Sequence, residues 1–525
     1  MANKNLFQTM RGRLLRQTDA VNQEMAPAYR LSARQALAQY ALTGCLNATF
    51  YASAETQLDT VLNLCDQVTP EYIAQTAIYC REKGYMKDMP ALLCARLSME
   101  DNDLLSRVFP RVIDNGKMLR NFVQIMRSGV VGRKSLGSRP KRLVQEWLTA
   151  RSDEQIFRAS VGQSPSLADI IKMVRPKPET ASREALYGYL IGREYNPEAL
   201  PELVRQYERF KTDMRAEVPE VPFQMLTALK LGREEWQAIA RNASWQMTRM
   251  NLNTFVRHGV FGVFWKDREM VELIAERLRD PALIARARVF PYQLMIAYLM
   301  ADRGVPSKVR DALQDAMEIS ISAVPAVEGQ VYVCPDVSAS MTWAAATGQR
   351  KGATSKVRCI DIAALVTAAI LRKNPQAEVL PFAEKLRNWQ VRLNSRDSVM
   401  TNARRLARIG GGGTNCSAPL QWLNSRKAQG DLVIYVSDDQ SWVDARSSRS
   451  GTAMMQEWNI FKQRNPQARL VCLDIQPYET RQTYDREDIL NIGGFSDNVF
   501  TVIAEFAAGR LNDDLWVREI EKVEI

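Results

Sequence analysis

Five oxygen-bearing side chains stand where they could hold a cation. Asp336, Ser338 and Ser340 form a D-x-S-x-S run directly after the apolar stretch VYVCP. Thr414 follows the glycine run 410–413, and Asp438 ends the apolar stretch DLVIYVS. Carboxylates and hydroxyls are hard donors, suited to magnesium or another hard divalent cation. Magnesium keeps several waters, so hydroxyls beside water-bridged carboxylates are reasonable ligands. The low formal charge of this set leaves the ion electrophilic and able to take an acidic group from a partner. Asp439 is the competing carboxylate, but Asp438 closes the apolar run and is the expected ligand. The plainer role for these groups is capping of helix N-termini.

Other chemistries fit less well. The glycine run lacks the Gly-Lys-Ser/Thr that completes a phosphate-cradling P-loop. The D-V-S run lacks the second carboxylate expected for aspartyl phosphotransfer, and no two-metal acidic cluster is evident. The single histidine, His258, sits in TFVRHGVF and is expected to be a core group. One histidine leaves little room for a Ser/Cys–His hydrolase or a His-ligated metal. The chain is expected to be non-catalytic. Its eight cysteines, at 45, 65, 80, 94, 334, 359, 416 and 472, form no C-x-x-C pair and read as reduced, mostly buried thiols.

The elements that must position these groups divide near Val324. Residues 324–525 alternate short apolar strands with helices, which predicts a doubly wound, mostly parallel sheet. Its expected strands are VYVCP, AEVLPFA, LRNWQVR, DLVIYVS, ARLVCLDI and NVFTVI. Such sheets bind ligands at the carboxyl ends of their strands, where the five oxygen donors lie. Residues 1–323 read instead as helix after helix. In TPEYIAQTAIYCREKG, Thr69 is the N-cap, Pro70 opens the first turn and Gly84 stops the helix. Many amphipathic units in series, without one long heptad, predict stacked helix pairs of a divergent solenoid. The fold class is therefore multidomain, α followed by α/β.

Composition bounds the partners. The 525 residues are 46% hydrophobic and 25% charged, as in ordinary globular proteins. No stretch approaches ~20 apolar residues and the start has no apolar signal region, so a cytoplasmic, non-membrane protein is expected. The net charge of +11 is concentrated. Between Asp114 and Glu146 no acid occurs, while Lys117, Arg120, Arg127, Arg133, Lys134, Arg139, Lys141 and Arg142 all do. That density is an electrostatic footprint for polyanions.

The oxygen set, in its order and strand-end positions, resembles the metal-ion-dependent adhesion site of von Willebrand factor A domains. A long helical part before such a domain resembles the Ro autoantigen family, whose helical part is the TROVE domain. FVQIMRSGVVGRKSLGSRPKRLVQEWL is similar to the family's basic helix–turn–helix, and SLADIIKMVRPKP to the segment after it. ASWQMTRMNLNTFVRHGVF, VFPYQLMIAYLM, DVSASM and GGGTNCSAPL also resemble family motifs. ALTGCLNATFYAS matches a glycine-rich segment, except that Leu46 and Asn47 replace its glycine pair. Leu167 and Arg175 stand where animal members carry histidines.

The resemblance implies a ring of HEAT-type helices closed by the A domain, acting without catalysis in RNA quality control or processing. It implies Y-type small RNA on the outside and single-stranded ends of misfolded noncoding RNA in a basic cavity. The basic block, with Lys172 and Arg175, would contact RNA. The protein is expected to be a monomer, with an exoribonuclease or another protein as a candidate partner at the metal. The alternative is an adaptor, without RNA, whose A domain docks an ATPase or chelatase.

Overall fold

The computed structural model describes residues 16–43, 53–213, 216–262, 267–287, 289, 291–321, 324, 326–343, 357–443, 451–476, 478–484, 486–494, 497–509 and 515–525. The motif around Cys45, Leu46 and Asn47 lies outside them, as does the start of the chain.

Helix ends follow local chemistry. Thr69 accepts a hydrogen bond from the Tyr72 amide and Pro70 opens the helix Pro70–Glu82. Asp101, Asn115, Ser152 and Ser166 cap the helices Asn102–Val112, Gly116–Ser128, Asp153–Ala159 and Leu167–Val174. Each cap satisfies amides that the helix itself leaves without partners. Gly129, at φ +91°, ends Gly116–Ser128 in a left-handed conformation that glycine adopts at no steric cost. Helices then stack on near neighbours in the chain: Pro70–Glu82 on Asp88–Glu100, and Ser138–Thr149 on Leu167–Val174. Farther on, Arg268–Arg279 and Pro291–Met300 both pack on Ser307–Ser320.

The sheets comprise β1 (Ala20–Val21), β2 (Pro27–Arg30), β3 (Val331–Pro335), β4 (Glu378–Val379), β5 (Leu432–Ser437), β6 (Arg469–Asp474), β7 (Thr480–Arg481) and β8 (Ile489–Gly493). Five of them form a parallel sheet in the order β4-β3-β5-β6-β8. Side chains alternate across a strand, so β5 feeds two cores. Ile434 and Val436 join one with Ile360 and Ala364; Val433 and Tyr435 join the other with Trp458 and Phe461.

Three strand expectations need correction. NVFTVI lies within the helix Asp497–Ala507, whose Val499, Phe500, Val502, Ile503 and Phe506 are buried at helical spacing. That 3.6-residue stripe outweighs the β-branched composition, and ILNIG supplies the fifth strand. LRNWQVR holds the 3-10 turn Asn388–Gln390, with Trp389 exposed rather than packed on a sheet face. In AEVLPFA only Glu378–Val379 pair as a strand. His258 is also not a core group: it lies exposed, stacked on the buried Trp236 with ring centroids 4.1 Å apart.

The chain closes on itself. β2 pairs antiparallel with β1 and with β7, joining the start of the chain to the C-terminal part. The helix Ala33–Thr43 packs on β8, and the last helix, Leu515–Glu521, packs on Pro70–Glu82. On the other side, Pro291–Met300 meets Cys359–Lys373, and Ser307–Ser320 meets Val399–Leu406. Across the enclosed space, Arg81, Lys87, Arg111, Arg286 and Tyr292 line a cavity of about 370 Å³.

Tyr29 anchors the first seam, fully buried in the core that holds Trp458 and Tyr435. Its hydroxyl donates to the Arg16 carbonyl at 3.0 Å and accepts from the Thr452 amide at 3.3 Å. Burial pushes this phenol up to about 12. Tyr29→Ala should cost about 3–5 kcal/mol of stability, the range for emptying a buried aromatic site. Urea denaturation followed by tryptophan fluorescence checks this; an unchanged midpoint would mean that Tyr29 is not part of that core.

Candidate functional site

The parallel register brings the sequence-predicted oxygen donors together. β3 pairs with β5 so that Pro335 lies opposite Val436, and the Asp336 amide donates to the Val436 carbonyl at 2.9 Å. Asp336 is fully buried and accepts from the Ser437 hydroxyl at 2.7 Å and the Ser338 amide at 2.8 Å. The Ser338 and Ser340 hydroxyls lie 3.1 Å apart. Two backbone bonds staple the glycine loop to this run: Ala339 N to Gly412 O at 3.0 Å and Gly411 N to Val337 O at 3.1 Å. Gly411 and Gly412 have φ of +101° and +91°, which explains glycine there. Thr414 is buried at the end of this loop, and its carbonyl accepts from the Trp442 and Val443 amides.

Asp438 and Asp439 have different surroundings. Asp439 (φ +59°) turns away, its carboxylate accepting from the Gln482 amide at 2.7 Å. Asp438 is buried, and neither of its carboxylate oxygens has a well-formed hydrogen bond among the described residues. Burial and the charge of Asp336 push it up to about 7, and the nearby Ser340 hydroxyl and Gln440 amide offset only part of this. Burial likewise raises Asp336, against the hydrogen bonds from Ser437 and Ser338.

Sequence reasoning did not single out Ser437, which braces Asp336, or Asp474 at the end of β6. Asp474 is buried next to Ser437 in the β5–β6 register and accepts from Gln39 Nε2 at 3.0 Å. The S-D-D string at the strand end carried a signal for Ser437; nothing local marked Gln39. Buried carboxylates so close together, one with orphaned oxygens, need compensating positive charge. A hard divalent cation fits this donor set.

The basic residues group on packed helices. Lys117, Arg120 and Arg127 lie on Gly116–Ser128, Arg139, Lys141 and Arg142 on Ser138–Thr149, and Lys172 on Leu167–Val174. Arg133 and Lys134 occupy the connecting turn, and Arg175 caps the third helix at φ +49°. Several are engaged internally. Arg120 donates to the Ala159 carbonyl at 3.1 Å and presses on Gly162, where a Cβ would meet its guanidinium at 2.6 Å. Arg139 pairs with Asp103 at 3.2 Å and Arg142 with Glu146 at 2.9 Å. Arg133 Nε lies 3.0 Å from Met99 Sδ. Lys117, Arg127, Lys134, Lys172 and Arg175 are exposed. Lys177, which sequence reasoning missed, lines with Arg142, Gln145 and Arg175 an open groove of about 880 Å³.

Residues 330–507 match the family model of the Ro60 vWA domain. A Deinococcus radiodurans protein described as RNA-binding protein RO60 is 24% identical, covering 92% of this chain and 94% of its own. Nearly the whole chain is similar to Ro proteins. The Caenorhabditis elegans RNA-binding protein RO60 is 21% identical over 53% of this chain and 42% of its own. The crystal structure of the D. radiodurans Ro (Rsr) protein shares the fold: its TM-score is 0.61 at 19% identity, covering 91% of this chain and 100% of that one. The likeness thus spans both the helical part and the A domain.

Neutralising the orphaned carboxylate should separate its two roles. Asp438→Asn should raise the melting temperature of metal-free protein, by roughly 2–4 °C for each kcal/mol of repulsion relieved. It should also abolish the further rise that magnesium gives the wild type. Scanning calorimetry with and without magnesium reads both effects. A variant less stable without metal and still stabilised by magnesium would contradict this assignment.

Proposed function

We propose that this chain is a non-catalytic RNA-binding protein of the Ro type. The observation that carries the reading is the group of exposed cations, Lys117, Arg127, Lys134, Lys172 and Arg175, on helices packed together. The near full-length similarity to proteins described as RNA-binding supports it. Phosphates would be held chiefly by these cations, because Arg139 and Arg142 already have carboxylate partners. The finer expectation is a Y-type small RNA on this face, with single-stranded ends of misfolded RNA at the cavity lined by Lys87 and Arg286, where Arg81 and Arg111 pair with Asp114 and Glu82.

Asp336, Ser338, Ser340, Thr414 and Asp438 would hold a divalent cation, best magnesium. When bound, the ion supplies an electrophilic point for an acidic group of a partner protein, an exoribonuclease among the candidates. The chain's own residues orient rather than react: Ser437 and the Ser338 amide fix Asp336. The two serine hydroxyls lie 3.1 Å apart beside Asp336 and Asp438 and favour the charged forms of these carboxylates. The proposal includes a cytoplasmic, monomeric protein. Its described cysteines Cys65, Cys80, Cys94, Cys334, Cys359 and Cys472 are buried thiols outside any disulfide, in keeping with a reducing compartment. No helix among the described residues is long and apolar enough to cross a membrane.

Filter binding over a salt series, with a structured RNA, tests the reading. Lys134→Glu with Lys172→Glu should weaken binding and flatten the log–log salt slope by about 0.7–0.9 per lost contact. Asp336→Ala should leave RNA affinity unchanged. A salt-independent wild type, or an Asp336→Ala variant that loses RNA as badly as the lysine pair, would overturn it.

A further inference from the structure

A second basic stretch lies outside the helical block. Residues 385–408 carry seven Lys/Arg and one acid, Asp397, hence +6 of the net +11. They form the loop leading from Asn388–Gln390 and the helix Val399–Leu406 that follows it. We propose that this face of the A domain binds single-stranded RNA, with Trp389 as a stacking platform. This rests on the RNA-binding reading above and gives it a second contact surface.

Loop and helix are one surface. The Asn402 side chain donates to the Asn394 carbonyl at 2.6 Å and accepts from the Asn394 amide at 3.2 Å. Arg372 holds the same loop from beneath, donating to the Ser395 carbonyl at 3.1 Å. Lys385, Arg392, Arg396, Arg404 and Arg408 are exposed on it. The neighbouring acids are already engaged. Asp397 pairs with Arg405, and Glu384 accepts from the Gly413 amide at 3.1 Å. Glu318 pairs with Arg372 at 3.2 Å and accepts from the Val399 amide at 2.8 Å. The helix dipole accounts for Arg404 and Arg405 near a C-terminus; it does not account for the loop cations.

The aromatic side chains narrow the ligand. Trp389 is 77% exposed amid these cations, and Trp343 is 78% exposed. Trp343 follows Thr342, whose methyl abuts Gly410, while Trp442, 43% exposed, lies against Gly413. Trp442 and the neighbour of Trp343 therefore border the glycine loop, whereas Trp389 stands within the basic loop itself. The face also continues into the helical part, where Tyr298 lies near Arg310 at 5.5 Å and Arg404 at 6.0 Å. Exposed aromatics interleaved with cations suit a strand that offers a base face with each phosphate, and stacking is tolerant of sequence. A duplex hides those base faces. An acidic protein would use the charges and leave the indoles unexplained.

The test compares a blunt RNA stem with the same stem carrying a single-stranded oligouridine extension, on full-length protein. The wild type should bind the extended RNA more tightly. Trp389→Ala should remove about tenfold of that affinity, Trp389→Phe should restore most of it, and blunt-stem binding should be unchanged. Arg392→Glu with Arg408→Glu should lower the salt slope for the extended RNA by about 0.7 per contact. These exposed positions carry little folding risk. The proposal is overturned if these variants bind the extended RNA as the wild type does, or if polyglutamate competes as well as oligouridine. A wild type that binds neither RNA would overturn the RNA-binding reading itself, together with this surface.

Discussion

The structure depends on a short seam between the two ends of the chain. Tyr29 and Arg30 of β2 pair with Arg481 and Thr480 of β7, and the Leu31 amide donates to the Glu479 carbonyl at 2.9 Å. Around this ladder, Asn22 donates to the Ser441 carbonyl at 2.6 Å, and the Gln23 amide to Gln440 Oε1 at 3.0 Å. Ser441 and Gln440 directly follow the Asp438–Asp439 pair. The loop that offers the orphaned carboxylate is therefore gripped by residues from the start of the chain. Gln39, one helix later, reaches Asp474 beside it. This seam ties the loops that carry Asp438 and Asp474 to the first residues and helices of the chain.

Within the A domain, the parallel register gathers charge that the interior cannot hold alone. Strands read in order bring Asp336, Asp438 and Asp474 to the same sheet edge, all buried. Burial raises Asp336, Asp438, Asp439 and Asp474 alike. Hydrogen bonds to Asp336, Asp439 and Asp474 offset part of this, whereas Asp438, raised by burial first and by Asp336 second, has no well-formed one among the described residues. A cation relieves such a cluster more fully than another hydroxyl could. The carboxylates gather at the sheet edge, whereas the clustered cations lie on exposed helices and loops.

What could be read from sequence was whatever local pattern decides. VYVCP, DLVIYVS and ARLVCLD are short, apolar and bounded by turn residues, so their strands were legible. The place of Asp438 just after a strand was legible because it closes an apolar run. The Thr69–Pro70 helix start followed from capping alone. Long-range partners were not legible. Nothing near Arg139 announces Asp103 from a preceding helix, so the basic block looked freer than it is. The β2–β7 ladder joins residues some 450 positions apart through two pairs, too short for any periodicity to signal. NVFTVI misled because β-branched content competes with helical spacing, and the spacing prevails once the apolar stripe finds a core. His258 misled because an apolar neighbourhood in sequence placed it over Trp236 rather than beneath it.

The central claim is that the helical part and the A domain are one closed body held by this seam. Hydrogen exchange of the Leu31 and Gln23 amides tests it most directly, since both are committed across the seam, to Glu479 and Gln440. The account predicts that they exchange slowly, together with the β5 amides, as expected for a unit that opens only in larger unfolding events. Exchange of Leu31 and Gln23 at the rate of an unstructured chain, with β5 still protected, would contradict it.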